Sequence, residues 1–319
     1  MNRTITGLAA LSASGLLLSA CGVSEESDST GDVAAGSVDA TALEGESLSV
    51  GSKDFDEQLL LGQLTIQMLS AAGADVTDDT NIQGSTAARE TLLRGDIDVY
   101  YDYTGTGWIT YLTHTENITD PQKLYEGVRE EDLAKNGLVW GQPAPFNNTY
   151  AMAVTEEFAD QEGLATLSDM ATYYEDNPDA VTCIESEFAN RPDGYPAMVQ
   201  AYDMNIPESS VDSLGVGVIY TELDGGACDF GEVFTTDGRL GGLGLVPLDD
   251  DKSFFPLYNG APIVQEENPA GEDILAVLEP LSATLTTDVM YDLNAQVSSE
   301  GLPPEDVAAD YLTQEGFIE

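Results

Sequence analysis

The sequence predicts an α/β protein of two lobes, with a chain that crosses from one lobe to the other and back. Two observations support this prediction. Between residues 47 and 137, short apolar segments alternate with helical segments, which is typical of a mostly parallel sheet covered by helices. The same alternation starts again near residue 149, and a return segment and three helical segments follow it. A chain of 319 residues is long enough for two such units.

The first 21 residues have the features of a secretion signal. Arg3 supplies a positive start, and residues 5–18 are apolar or small. The segment Leu18-Ser19-Ala20-Cys21 resembles the lipobox of bacterial lipoproteins, in which cleavage precedes a cysteine that becomes lipidated. Acyl chains on Cys21 would hold the protein at the outer face of the cell membrane. Residues 22–46 contain no basic or aromatic residue and are predicted to be a flexible acidic tether.

The first predicted lobe begins near Ser47. Its helices have recognisable ends, because Ser85 precedes one helix as a cap, Asp120-Pro121 starts another, and Gly73, Gly95 and Gly137 follow helical segments. The predicted strands are 48–51, 74–77 and 96–101, and the predicted helices are 59–69, 86–94 and 121–136.

The second predicted lobe occupies residues 148–252, and the first lobe comprises residues 47–147 and 253–319. An extended segment at 256–265, with Pro256 and Pro262, returns the chain to the first lobe, and helices follow from residue 272. Within the second lobe the predicted strands are 149–155, 180–185 and 227–234, and the predicted helices are 167–177, 196–203 and 216–223.

The charge of the chain is extreme. It has 58 acidic and 10 basic residues, for a formal net charge of −48. Nucleic acid is therefore excluded as a partner, because phosphate binding requires a basic face. Such a surface repels itself at low salt, and high ionic strength removes that penalty. The composition thus favours a salt-rich habitat, with solubility alone as the other explanation.

Few residues are available for catalysis or metal binding. His114 is the only histidine and lies in a polar segment, so a zinc site built on several histidines is impossible and a catalytic Ser-His pair is not expected. The sequence shows no nucleophile elbow, metal-ligand cluster or phosphate loop. We expect neither an enzyme nor a metal or cofactor site.

Cys183 and Cys228 fall in predicted strands of the second lobe. An exported protein permits a disulfide between them, and buried free thiols are the alternative. The sequence alone does not give the distance that decides between the two.

Aromatic residues are concentrated where the strand at 96–101 leads into a Gly/Thr-rich loop. Tyr100, Tyr101, Tyr103 and Trp108 fall within thirteen residues, in a chain that is 8% aromatic. Ligands of open α/β sheets bind at the carboxyl ends of strands. This loop is therefore a candidate binding segment, with ordinary packing of the rings as the alternative.

Five motifs occur in order along the chain. They are Val50-Gly51-Ser52-Lys53-Asp54-Phe55-Asp56-Glu57-Gln58, Gly95 to Gly107, Asn147-Asn148-Thr149-Tyr150-Ala151-Met152, Phe234-Thr235-Thr236-Asp237-Gly238-Arg239, and Phe254 to Pro262. Together they resemble the osmoprotectant-binding proteins of ABC importers, which capture glycine betaine, choline, carnitine and similar quaternary amines. The resemblance extends from about Ser47 to the C-terminus.

The resemblance implies a type II periplasmic-binding-protein fold, two α/β lobes joined by two crossover segments that close on a ligand. It also implies an aromatic box for the ammonium group, formed by Tyr103, Tyr150, Phe234 and Tyr258. Lys53, Thr106 and Arg191 would bind the ligand's carboxylate. Phe234 stands where the family often has Tyr, and Tyr220 is the other candidate for that place in the box.

The expected function is capture of glycine betaine or a related quaternary amine and its delivery to an ABC permease with its ATPase. The protein is expected to act as a monomer that meets the membrane only through its lipid anchor. A choline-specific protein of the same fold is the nearest alternative. An exported hydrolase with two carboxylates, or a regulatory or adhesion lipoprotein without transport, are the alternatives from other classes.

Overall fold

The computed structural model describes residues 33–319. The predicted signal segment 1–21 with Cys21, and residues 22–32 of the predicted tether, lie outside the described residues. The described chain forms ten strands: β1 Ser47–Lys53, β2 Asp75–Ile82, β3 Val99–Tyr103, β4 Leu138–Trp140, β5 Tyr150–Thr155, β6 Thr182–Ile184, β7 Val211–Ser213, β8 Phe230–Phe234, β9 Leu245–Pro247 and β10 Gly260–Gln265.

Eleven α-helices accompany these strands within residues 33–319, together with a π-helical turn at Thr106–Tyr111 and a 3-10 turn at Glu208–Ser210. The α-helices are α1 Asp56–Ala71, α2 Ser85–Arg94, α3 Pro121–Asn136, α4 Glu156–Glu162, α5 Leu167–Asp176, α6 Tyr195–Ala201, α7 Val216–Asp224, α8 Arg239–Gly242, α9 Gly271–Thr284, α10 Thr287–Ser298 and α11 Pro304–Gln314. No helix of this part of the chain has both the length and the apolar character needed to cross a bilayer.

The strands form two five-stranded sheets of the same design. The first has the order β2-β1-β3-β10-β4 and the second the order β7-β6-β8-β5-β9. In each sheet one strand runs antiparallel to its two neighbours, namely β10 in the first and β5 in the second. Both antiparallel strands follow a passage between the sheets. We call the unit around the first sheet lobe I and that around the second lobe II.

Strand register brings aromatic residues to the ends of both sheets. Tyr150 lies opposite Phe234 in the antiparallel pair of β5 and β8. Gly260 lies opposite Tyr103 in the pair of β10 and β3. These ends face the crossovers between the lobes, so the aromatic side chains lie at the cleft between the two lobes.

The two crossovers, residues 141–149 and 248–259, are hydrogen-bonded to each other. The backbone N–H of Tyr258 donates to the side-chain oxygen of Asn147 over 2.7 Å, and the N–H of Asn148 donates to the carbonyl of Tyr258 over 3.1 Å. The two crossovers therefore form one hydrogen-bonded connection between the lobes and are not two independent linkers.

The predicted tether is wrong for residues 33–46, which pack on lobe I. Leu43 is 1% exposed and joins the core. The N–H of Gly36 donates to the carbonyl of Phe317 over 2.9 Å, and Ala35 forms a bridge with Ile318. The buried Leu43, the partly buried Val33, Ala35 and Val38, and backbone pairing with the C-terminus order a segment whose composition is otherwise that of a linker.

Lobe II contains a disulfide between Cys183 and Cys228, whose Cα atoms are 5.9 Å apart. It joins β6 to the loop that precedes β8. Both cysteines are buried, Cys183 to 1% exposure.

Candidate functional site

A cavity of about 430 Å³ lies between the lobes, at the carboxyl ends of β1, β3, β6 and β8. This is the position that open α/β sheets use for ligands. All seven residues that the sequence assigned to ligand binding line it, and they come from both lobes and from the second crossover: Lys53, Tyr103, Thr106, Tyr150, Arg191, Phe234 and Tyr258.

Five rings form a continuous aromatic wall along the cavity. In spatial order they are Tyr103, Phe55, Phe234, Tyr150 and Tyr258. The centroids of successive rings are 6.3, 5.2, 5.1 and 5.5 Å apart. The Tyr150 and Tyr258 rings are perpendicular, at 90°, which creates a corner in the wall. The wall is an apolar surface rich in π faces, suited to a cation without N–H groups.

Phe55 is the one ring of the wall that was not predicted from the sequence. It follows β1 directly and occupies the N-cap position of α1, with a backbone of extended conformation. This position places its ring between those of Tyr103 in lobe I and Phe234 in lobe II. The available signal was its place in the first motif, two residues after Lys53.

The structure favours Phe234 over Tyr220 as a member of the wall. Tyr220 is fully buried in lobe II behind Phe234, and its hydroxyl oxygen accepts the backbone N–H of Phe234 over 2.9 Å. The guanidinium of Arg239 covers the Tyr220 ring at 4.4 Å. Tyr220 therefore supports the ring that lines the cavity.

Lys53 is buried at the end of β1 and pairs with Asp102 of β3. Its Nζ lies 2.6 Å from the Asp102 Oδ1, and the ammonium lies 4.8 Å from the centroid of the Tyr103 ring. An ammonium has three hydrogens. Asp102 is its only hydrogen-bond acceptor within residues 33–319, so Lys53 retains donor capacity at the cavity wall.

Arg191 is held by two carboxylates. Its Nε and Nη2 donate to the two oxygens of Asp193 over 2.8 and 2.7 Å, and its Nη1 donates to Glu187 over 2.9 Å. Its Nη2 also lies 3.4 Å from the hydroxyl of Thr106 in lobe I. The predicted carboxylate-binding residues Arg191 and Thr106 are thus adjacent, and the charge of Arg191 is already balanced.

Glu187 links the two lobes at the edge of the cavity. Its carboxylate accepts the Ser85 backbone N–H over 3.0 Å and the Ser85 hydroxyl over 2.6 Å, at the start of α2. Burial raises the pKa of Glu187, but the charges of Lys53 and Arg191 and the Ser85 bonds outweigh burial and bring the pKa to about 2. The prediction that Ser85 caps α2 is wrong: Gly84 is the N-cap, and the Ser85 hydroxyl is used by Glu187.

Glu57 is a buried carboxylate behind the wall that receives four neutral donors. Tyr103 and Asn148 donate to its Oε1, each over 2.7 Å, and Thr236 and Asn294 donate to its Oε2 over 2.6 and 2.8 Å. These donors come from lobe I, the first crossover, lobe II and α10. Burial raises the pKa of Glu57, and the four hydrogen bonds oppose that effect.

Comparison with known proteins identifies the family. Residues 46–314 match the model of the substrate binding domain of ABC-type glycine betaine transport systems (OpuAC). A glycine-betaine-binding protein of Pseudomonas aeruginosa is 37% identical over 292 residues, covering 89% of this chain and 93% of the relative. The glycine betaine-binding protein YehZ of Escherichia coli is 31% identical over 277 residues, covering 85% and 91%.

Solved structures of similar proteins agree with this family assignment. A glycine betaine/carnitine/choline ABC transporter structure superposes with a TM-score of 0.69 at 25% identity, covering 85% of this chain and 99% of that one. This match confirms the predicted periplasmic-binding-protein fold, and the family model confirms the resemblance drawn from the five motifs. The chain belongs to the family of substrate binding domains of ABC-type glycine betaine transport systems.

Proposed function

We propose that the aromatic wall and Lys53 together bind a zwitterionic quaternary amine of the glycine betaine type. The observation that carries this proposal is their shared cavity. A quaternary ammonium has no hydrogen to donate, so it is recognised by ring faces, at about 0.5–2 kcal/mol for each well-placed ring. The buried donors that Lys53 retains need an acceptor, and the ligand's carboxylate supplies one.

The carboxylate end of the ligand lies, in this proposal, against Lys53, Thr106 and the remaining Nη1 hydrogen of Arg191. The positive charges at this end of the cavity are already neutralised, that of Lys53 by Asp102 and that of Arg191 by Asp193 and Glu187. The site therefore suits a ligand that carries no net charge. Choline has a neutral hydroxyl where glycine betaine has a carboxylate, so it offers the Lys53 donors a weaker acceptor. The zwitterion is therefore the better match of the two.

Transport requires the lobes to close on the ligand. The wall includes rings from both lobes, so a bound ammonium stabilises the closed arrangement over an open one by the contacts it makes only there. The closed protein then presents its ligand to an ABC permease that is powered by an ATPase. We propose that the protein works as a monomer at the outer face of the cell membrane, where lipid on Cys21 anchors it. We also propose that it makes and breaks no bond in its ligand.

Calorimetry on the wild type and on Lys53→Met tests the ligand assignment. The wild type should bind glycine betaine and proline betaine in concentrated salt. Lys53→Met should weaken glycine betaine binding by tenfold or more, because a charge-assisted hydrogen bond worth about 1.5–3 kcal/mol is lost. Choline affinity should change by no more than about threefold, since choline makes no carboxylate contact.

The two halves of the proposal fail separately. No heat of binding with any quaternary amine would remove the function itself. Equal losses for glycine betaine and choline in Lys53→Met would instead show that Lys53 does not receive the carboxylate. Thermal unfolding of both proteins serves as the control for a change in fold.

A further inference from the structure

Two of the three tyrosines in the aromatic wall donate their hydroxyl groups to buried carboxylates. The Tyr103 hydroxyl donates to Glu57 over 2.7 Å, and the Tyr258 hydroxyl donates to Asp193 over 2.6 Å. Glu57 and Asp193 are 4% and 5% exposed. For the third tyrosine, Tyr150, the structure shows no hydrogen-bond partner of the hydroxyl within residues 33–319.

A hydrogen bond from a phenol to a carboxylate changes the ring as well as holding it. The carboxylate draws the proton toward itself, and electron density moves from the phenol oxygen into the ring. A cation is attracted by the negative face of the ring, so added electron density strengthens that attraction. In a buried site the effect is not screened by water.

We infer that Glu57 and Asp193 act on the ligand through the rings of Tyr103 and Tyr258, and make the wall selective for a cation over a neutral group of the same shape. The two carboxylates are positioning residues that do not line the cavity themselves. The inference rests on the proposed function, because it requires a quaternary ammonium at the wall.

The two rings are not equally affected. The four donors to Glu57 are neutral, so its charge is available to polarise Tyr103. Asp193 shares its charge with Arg191 through two short hydrogen bonds. The effect on Tyr103 should therefore exceed that on Tyr258, and Tyr150 should show none.

Glu57 and Asp193 could act by orienting the two rings or by increasing the electron density of their faces, and the experiment must separate these two roles. Glycine betaine and 3,3-dimethylbutanoate provide the required pair of ligands, since they share the carboxylate and the three methyl groups and differ in a nitrogen cation against a neutral carbon. A displaced ring weakens both ligands alike. A less negative ring weakens only glycine betaine.

The experiment measures both ligands on the wild type and on Tyr103→Phe, Tyr258→Phe and Tyr150→Phe, by calorimetry for glycine betaine and by competition for 3,3-dimethylbutanoate. Tyr103→Phe should reduce the preference for glycine betaine about five- to tenfold and Tyr258→Phe about two- to threefold, within the roughly 30-fold that a whole ring contact can supply. Tyr150→Phe is the matched variant from the same wall and should change both affinities by the same factor.

Three outcomes decide the matter. An unchanged preference in Tyr103→Phe overturns the inference and leaves the proposed function intact, as does a fall in Tyr150→Phe equal to that in Tyr103→Phe. A wild type that binds neither glycine betaine nor another quaternary amine refutes the proposed function instead.

Discussion

At the scale of single residues, Glu187 is the carboxylate that fastens lobe II to the start of α2 in lobe I. Its pKa of about 2 lies below the ordinary 4.5, so its ionised form is favoured by folding. Such a group stabilises the folded protein above about pH 4.5, and the stabilisation is lost as the pH falls from there toward 2. The loss reflects proton uptake at the contact between the lobes.

Glu187→Gln should therefore destabilise the protein at pH 7 by at most about 3 kcal/mol. The difference in free energy of unfolding between wild type and variant should shrink as the pH falls from 4.5 toward 2. Urea unfolding at a series of pH values measures it.

Glu185→Gln is the matched control for this prediction. Burial raises the pKa of Glu185, so the wild type should gain stability relative to that variant as the pH falls. A Glu187→Gln difference that stays constant from pH 7 to pH 2.5 would contradict the role given to Glu187.

Single residues also show what the sequence could predict about the site. Lys53, Tyr103 and Tyr258 could be placed in the cavity because each sits inside a recognisable motif. Their partners Asp102, Glu57 and Asp193 could not be assigned, because pairing depends on which side chains meet after folding. In a chain with 58 acidic residues, no spacing distinguishes a buried carboxylate from a solvated one.

At the scale of elements, α10 also joins the two lobes, through contacts separate from those of Glu187. The helix belongs to the C-terminal segment, yet its Asn294 binds Glu57 and the carbonyl of Thr236 in lobe II. Gly238, at the start of α8, packs directly on α10. A Cβ built at Gly238 would lie 2.2 Å from the Ala295 Cα, so only glycine permits this approach.

Gly238→Ala should destabilise the protein by about 1–3 kcal/mol, because α8 and α10 must separate to admit the methyl group. The separation of α8 from α10 should also shift the lobes relative to each other and so weaken ligand binding. Gly242→Ala, in the same short helix, is the control, since its nearest neighbour would be the Ser299 Oγ at 3.6 Å. Equal melting temperatures for the two variants would show that the close approach is not needed.

Most helix ends could be predicted from the sequence, the start of α2 being the exception, whereas the extent of a polar strand could not. Asp120 caps α3 by accepting the N–H groups of Gln122 and Lys123, and Gly137 follows the helix with φ of 64°, as the sequence suggests. By contrast β2 runs to Ile82, well past the predicted end at residue 77. The second half of β2 is rich in Asp and Thr and mostly exposed. Its extent is set by hydrogen bonding to β1, so it could not be predicted from a hydrophobic pattern.

At the scale of the whole molecule, the positive charges are nearly all neutralised locally. Within residues 33–319, seven basic side chains lie within 4 Å of a carboxylate: Lys53, Arg89, Arg94, Lys123, Lys135, Arg191 and Arg239. The remaining acidic groups form a surface of one sign, whose self-repulsion opposes the compact state.

Salt should therefore stabilise the protein. Raising NaCl from 0.1 to 1 M shortens the screening length from about 10 to about 3 Å, which removes most repulsion between exposed carboxylates. We expect the melting temperature to rise by about 10 °C over this range, and by a similar amount in KCl. A melting temperature that does not change between 0.1 and 1 M of either salt would refute this account.

The strand order of the two sheets also sets the order in which the molecule can be built. All five strands of lobe II lie between residues 150 and 247, whereas the sheet of lobe I has a gap between β3 and β4 until β10 arrives at residues 260–265. A chain that emerges N-terminus first, from the ribosome or through a membrane, thus carries an unfinished lobe I while lobe II completes its sheet. The lobe that is begun first is the last to be closed.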